Sequence, residues 1–110
     1  MEIKGIPFAV FNLDGIDPEE HNGVTGKAYW KTVKRGNVRI RIVEYTAGYL
    51  ADHWCEKGHA VYVLEGDFES ELKDGRKHKL SKGMCYLVAD NADAHRSYTE
   101  HGVKLLIVDQ

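Results

Sequence analysis

Apolar and polar residues alternate along several short segments of this chain, a pattern that is typical of half-buried β-strands. In Val38–Tyr45, positions 38, 40 and 42 are apolar, and the opposite face carries Arg39 and Arg41. A short apolar run at 59–64 lies between two glycines, which indicates a buried strand. The segments that we predict to be strands are Val38–Tyr45, 59–64, 68–72, 76–80, 84–89 and Val103–Asp109.

Turn sequences that contain glycine separate these segments. Asp74-Gly75 predicts a tight hairpin between the third and fourth predicted strands, because this pair suits the positive φ angles of a type I′ turn. Glu65-Gly66 predicts a turn between the second and third. One helix of a turn or two is expected near 16–22, where an aspartate precedes a proline. Many short strands without a long amphipathic helix predict an all-β fold, an antiparallel sandwich or barrel.

The size and composition are those of one globular domain. The chain has 110 residues, of which 43% are hydrophobic, and this is enough for one hydrophobic core. A net charge of −2 gives no charge-based reason to bind nucleic acid or an anionic membrane. Its apolar runs are far shorter than the roughly 20 residues that span a bilayer, and no signal-peptide pattern opens the chain. We therefore expect a cytoplasmic protein without nucleic-acid or membrane partners.

The segment 48–59 concentrates residues that bind metals. It contains His53, Cys55 and His59, and imidazole and thiolate are standard ligands of Zn and other first-row metals. If 52–55 is extended, the side chains of His53 and Cys55 leave the same face, and a turn before His59 can point it back at them. His95 is the candidate for a fourth ligand.

The sequence leaves two kinds of coordination open. Three histidines with Cys55 as a neighbour would leave free positions on Fe, Mn, Ni or Zn. Coordination by Cys55 as well would give a nearly tetrahedral site, which is typical of structural Zn. In either case the expected cofactor is a divalent transition metal, Zn, Fe, Mn or Ni.

Two stretches of the sequence resemble the motifs of the cupin family. The segment 82–95, a glycine-led strand that ends in a single histidine, resembles the second cupin motif. The cluster Asp52-His53-Trp54-Cys55 is similar to that of the small DHCW-motif cupins. Cys55 stands where other cupins have a second histidine, and His59 stands where they have a glutamate. The first cupin motif is matched by Gly48-x4-His53-x-Cys55-x3-His59-x6-Gly66.

This resemblance implies a cupin-type double-stranded β-helix, a jelly-roll barrel of two antiparallel sheets. The chain would be a single domain over 1–110, with a barrel core at about 29–108 and an N-terminal strand or extension at 1–28. The metal would lie inside one end of the barrel, in a site that cupins usually leave open to substrate, and homodimers are frequent. The implied metal ligands are the nitrogens of His53, His59 and His95, with Cys55 as a fourth, sulfur ligand.

Residues around the cluster have alternative roles. Arg39 and Arg41 are either solvated edge charges or a clamp for the carboxylate of a substrate. Tyr62 and Tyr86 lie on apolar strands and are core residues first, but one of them could hydrogen-bond a ligand. Cys85 is expected to be a small buried hydrophobe, because a reducing cytosol disfavours a disulfide with Cys55.

Asp52 and Trp54 alternate to the face opposite His53. Asp52 is therefore either an exposed cap residue or a carboxylate that orients a metal-bound imidazole. Trp54 is expected to pack between the sheets or at a dimer contact.

The leading functional interpretation is a metal-binding small cupin that binds, and could transform, a small polar metabolite in the barrel mouth. As an enzyme it would be a metal-dependent dioxygenase, isomerase or lyase, because cupins include all of these and the fold does not select one. The alternatives are a non-catalytic ligand-binding or sensing module and a structural fold without turnover. The sequence assigns no catalytic residue.

Overall fold

Within residues 2–110, which the computed structural model describes, eight strands and one 3₁₀ helix form the regular structure. The 3₁₀ helix, Leu13–Gly15, precedes the first strand. The strands are β1 (Glu19–Asn22), β2 (Lys27–Arg35), β3 (Val38–Tyr45), β4 (His59–Leu72), β5 (Lys77–Ser81), β6 (Cys85–Val88), β7 (His95–Tyr98) and β8 (Val103–Asp109).

All strand pairs are antiparallel, and the strand order is β1-β2-β3-β8-β4-β5, with β6 and β7 also paired to β4. The long strand β4 holds the two faces of this barrel together. Its first half pairs with β8 and β6, and its second half pairs with β5 and β7. The expected all-β antiparallel architecture is therefore confirmed.

The core lies between the two faces and is built by period-two alternation. In β8, every second residue from Val103 to Asp109 is buried. The buried side chains of β8 meet those of β3 and β4, such as Val43 and Val61. Burial of each such aliphatic side chain contributes roughly 1.5–3 kcal/mol to folding. The same alternation turns Asp109, a charged residue, towards the interior.

Two predicted strands are one in the structure. The turn expected at Glu65-Gly66 is wrong: β4 continues through it, and the register with β8 shifts between Val63 and Glu65. This is a β-bulge, which adds a residue and bends the strand without ending it. Gly66 has φ +79°, and a Cβ there would collide with the carbonyl oxygen of Gly102 on the neighbouring chain segment. The backbone therefore does require a glycine at position 66, but this glycine marks a bulge and not a turn.

The hairpin at Asp74-Gly75 is confirmed, since β5 returns along β4. Its expected turn type is wrong. A type I′ turn needs a positive φ at two successive residues, and here Gly75 has φ +100° while Asp74 does not. The Asp74 carboxylate instead accepts a hydrogen bond from the backbone N–H of Arg76 at 3.0 Å, a local bond that closes the longer turn.

The helix expected near 16–22 is also wrong. That segment contains β1, which pairs with β2 in a register that places Glu19 opposite Trp30. A helix of one or two turns has too few internal hydrogen bonds to compete with a strand edge that offers a full set of backbone partners. Within the described range, no helix is long and apolar enough to cross a membrane.

Candidate metal centre

Three of the four predicted ligands converge at one end of the barrel. Cys55 lies in the loop before β4, His59 is the first residue of β4, and His95 is the first residue of β7. One potential ligand atom from each side chain lies within 4.8 Å of the other two. The cluster therefore joins two neighbouring chain segments with a third that is distant in sequence.

Backbone hydrogen bonds fix the position of the cysteine. The Cys55 N–H donates to the His95 carbonyl at 2.7 Å, and the His95 N–H donates to the Cys55 carbonyl at 3.0 Å. This isolated antiparallel bridge sets the two residues directly opposite each other, where their side chains are neighbours.

The imidazoles present their Nε2 atoms to one another. His95 Nδ1 lies 2.8 Å from the carbonyl oxygen of Asp93, so that its N–H donates there and Nε2 faces the cluster. His59 Nε2 is 2.9 Å from His95 Nε2 and 3.2 Å from the Tyr86 hydroxyl. A hydrogen bond at the far nitrogen is the usual way in which proteins fix the tautomer and orientation of a metal-binding histidine.

The surroundings of the cluster shift the pKa values of all three side chains. Burial, followed by the charge of His95, lowers the pKa of His59 to about 4, so its imidazole is neutral near pH 7. The hydrogen bond between Cys55 and His95 lowers the pKa of the Cys55 thiol and raises the pKa of His95. Metals bind the thiolate and the neutral imidazole. These forms are favoured at Cys55 and His59, whereas His95, whose pKa is raised, would release a proton when it binds a metal.

A buried carboxylate lies behind the histidines. Asp109 has no exposed side-chain surface, and Arg39 pairs with both of its oxygens at 2.7 and 2.8 Å. Arg41 donates to Asp109 at 3.2 Å, and His59 Nδ1 lies 3.7 Å from the same carboxylate. Burial acts to raise the pKa of Asp109, but the two arginines outweigh it and keep the pKa below its ordinary value.

The donor set fits a transition metal. One thiolate and two imidazoles suit Zn, Cu or Fe(II) better than Mg or Mn, which prefer oxygen ligands. Three protein ligands leave at least one coordination position for water or substrate, as in catalytic sites.

A cavity of about 290 Å³ opens beside the cluster. Its wall includes all four predicted ligands and aromatic side chains from β2, β3 and β6, among them Trp30, Tyr45 and Tyr86. Its volume is equivalent to roughly ten water molecules at the density of the liquid, so it can hold a small metabolite.

His53 lies apart from the three-residue cluster. The chain bends at Asp52 and His53 instead of running extended, and this removes the shared face on which its grouping with Cys55 depended. The His53 side chain is 72% exposed, and its Nδ1 lies 2.6 Å from the Asp52 carboxylate. It lines the same cavity, and its role as a ligand stays a prediction.

The residues around the cluster differ in whether their side chains reach it. Tyr86 reaches His59, whereas Tyr62 is 43% exposed on the outer surface. Cys85 is exposed, so the expected burial is wrong, because β6 turns this position outward; both cysteines are free thiols. Trp54 packs under the guanidinium of Arg96 at 4.6 Å from the ring centre.

Asp109 is the functional candidate that the sequence reasoning missed. It lies outside both motifs and near the end of the sequence, where a charged residue is usually expected to be exposed to solvent. The signal that could have found it is the alternation of β8, because Leu105 and Ile107 on the core face predict that Asp109 also points inward.

Neither protein-family models nor curated protein sequences match this chain. Solved structures do. Ectoine synthase from P. lautus is 20% identical with a TM-score of 0.73, and the match covers 92% of this chain and 76% of that one. A predicted oxalate decarboxylase from Thermotoga maritima is 14% identical with a TM-score of 0.76, over 91% and 96%. A sugar phosphate isomerase of the cupin superfamily from Silicibacter pomeroyi is 17% identical with a TM-score of 0.67, over 91% and 74%.

These similarities confirm the cupin jelly-roll fold. The neighbours carry different activities in their names, and their sequence identities are low. Since one fold supports many reactions, the function has to be argued from the cluster and its cavity.

Proposed function

We propose that this cupin-fold chain binds one divalent transition metal through Cys55, His59 and His95, and holds a small polar metabolite in the adjoining cavity. The observation that carries the proposal is the convergence of one sulfur and two nitrogen ligands within 4.8 Å, at a cavity wall. Two buried histidines and a half-buried cysteine, with their ligand atoms close together, have the donor chemistry of a transition-metal site. We further propose that the chain is a member of the DHCW-motif group of cupins.

The bound metal would supply Lewis-acid chemistry, polarising a carbonyl or activating water, or redox chemistry if it is iron. The chain's own residues would hold its ligands in place: Asp93 through the His95 N–H, and Asp109 beside His59. The Tyr86 hydroxyl, 3.2 Å from His59, is positioned to contact a molecule in the cavity. Turnover would belong to the dioxygenase, isomerase or lyase classes found among cupins.

The test is metal content measured by elemental analysis on tag-free protein purified without chelator. We expect about one equivalent per chain in the wild type, and less than about a tenth in His59→Ala and His95→Ala. His78→Ala is the matched control, because His78 is an exposed histidine on β5. Full metal content in both cluster variants would contradict the proposal.

Cobalt substitution tests the cysteine separately. A Co(II)-loaded wild type should show a thiolate-to-metal charge-transfer band that Cys55→Ser lacks, while Cys85→Ser retains it. His53→Ala tests the fourth predicted ligand: unchanged metal content would restrict the set to the three clustered residues. A charge-transfer band that persists in Cys55→Ser would remove the cysteine from it.

A non-catalytic binding or sensing module is the second candidate. The observation behind it is the cavity beside the cluster, which can hold a small molecule whether or not a reaction follows. Stoichiometric metal and ligand binding, without any change in the bound molecule, would support this candidate over an enzyme.

A further inference from the structure

Apart from the Cys55 thiolate of the metal cluster, the charged side chains around the cavity are cationic. Four cationic side chains line it, and no carboxylate within the described residues does: the cations are Arg39, Arg41, Lys57 and Arg96. Asp109 pairs with the buried Arg41 and the half-buried Arg39, and Glu71 pairs with Arg96 at 2.6 Å. Two of the four positive charges therefore remain without a carboxylate counter-ion, and a ligand in the cavity would experience a positive field.

Unpaired donors occur in the same wall. Arg41 Nε and Trp30 Nε1 are buried and have no hydrogen-bond partner among residues 2–110. Both residues line the cavity, and the Arg41 guanidinium stacks on the Trp30 ring at 4.6 Å. A buried donor without an acceptor is unfavourable, and the unpaired groups mark this side of the cavity as incomplete in hydrogen bonding.

We infer that the metabolite is a small carboxylate, bound with its carboxylate group towards Arg41. This inference rests on the proposed function and names its ligand class. Arg41 is 8% exposed and already donates one bond to Asp109, which holds the guanidinium in one orientation. A ligand carboxylate supplies an acceptor for the Arg41 guanidinium and a negative charge, and no carboxylate among the described residues lines the cavity. A neutral molecule of equal size supplies hydrogen-bond acceptors but no negative charge.

Arg41 is the specificity residue in this assignment, and Lys57 contributes at the exposed mouth of the cavity. Arg39 has a smaller part, because both of its paired nitrogens are occupied by Asp109. Charge-assisted hydrogen bonds are worth roughly 1.5–3 kcal/mol, so loss of the Arg41 contact corresponds to at least about a tenfold loss of affinity.

The experiment is isothermal titration of the full chain, as purified, with malonate and with malonamide, its neutral counterpart of similar size. We expect malonate to bind at least about tenfold more tightly than malonamide. Arg41→Gln should weaken malonate binding at least about tenfold and leave malonamide unchanged. Arg35→Gln is the matched control, because it removes one exposed positive charge that lies outside the cavity.

Lys57→Gln is the second variant, since an exposed loop residue can be replaced without disturbing the fold. It should weaken malonate binding about threefold. Equal affinities for malonate and malonamide, no binding of malonate, or wild-type malonate affinity in both Arg41→Gln and Lys57→Gln would each overturn the inference. Metal content measured on the same samples separates the two proposals. A protein that holds metal but does not prefer malonate to malonamide contradicts only the inference. A protein that prefers malonate but holds no metal contradicts only the metal site.

Discussion

Asp109 links the core, the two arginines and the metal cluster through one side chain. Its carboxylate is completely buried and is held by Arg39 and Arg41, while His59 approaches it from the cluster. A buried ion of this kind costs several kcal/mol to desolvate, and only its partners make it tolerable. The carboxylate therefore sets the positions of residues on β3 and β4 at once.

Asp109→Asn should lower the free energy of unfolding by about 3–5 kcal/mol at pH 7, because it leaves two arginines without their buried counter-charge. The pKa of Asp109 is depressed in the folded protein, so its stabilisation is complete above the unfolded pKa of about 4. It is lost as the pH falls through the folded value.

Urea unfolding at several pH values measures both effects. The difference in the free energy of unfolding between the wild type and Asp109→Asn should become smaller below about pH 4. Asp90→Asn is the control, because that aspartate is exposed. A change below about 1 kcal/mol at pH 7 would show that the Asp109 network does not stabilise the fold.

At the scale of elements, β4 determines the shape of the barrel. It contains fourteen residues and contributes to both faces. The bulge at Gly66 bends it between the two halves, and there the strand passes close to the backbone of Gly102. A strand that bends can pair with neighbours in both sheets. A straight strand of this length would extend beyond the edge of one of them.

Gly66→Ala should therefore destabilise the protein more than Gly75→Ala. Both replacements place alanine at a positive φ, which costs about 1–2 kcal/mol. A Cβ at Gly75 meets nothing within 4 Å, whereas a Cβ at Gly66 collides with backbone, and this adds roughly 1–3 kcal/mol. Thermal or urea unfolding of both variants measures the difference, and equal losses would contradict a close approach at the bulge.

At the scale of the whole molecule, the outer surface of the sheet contains an apolar row. Neighbouring outward residues of β3, β8, β4 and β6 are paired in register, and they are Ile40, Val108, Ala60 and Leu87. Leu87 is 81% exposed, the other three are half-buried, and no polar residue interrupts the row. A contiguous apolar patch across four strands is typical of a protein interface. We propose that a second copy of this chain covers it.

Light scattering after size exclusion should give a mass of about twice 12.5 kDa. Leu87→Glu should shift the mass to that of the monomer, because it places a charge in the centre of an apolar contact. Lys79→Glu, at an exposed position on β5, should leave the dimer intact. A wild-type mass of one chain would contradict the dimer.

The sequence by itself determined the features that depend on near neighbours. Alternation is set by residues two apart, so β3 and β8 have their predicted bounds. The chemistry of imidazole and thiolate nominated Cys55, His59 and His95, and the structure brings all three together. Resemblance to cupin motifs pointed to the jelly-roll fold, which the solved structures confirm.

Only the tertiary structure decided the features that depend on distant partners. β1 is a strand because the edge of β2 offers it hydrogen bonds, and Glu65-Gly66 forms a bulge because β8 pairs on both sides of it. The bend at His53 has no signal in the sequence, and the partners of the Asp109 carboxylate, Arg39 and Arg41, come from a strand that is remote along the chain. Local propensities differ by about 1 kcal/mol or less, and a full set of backbone partners or a buried ion pair outweighs them.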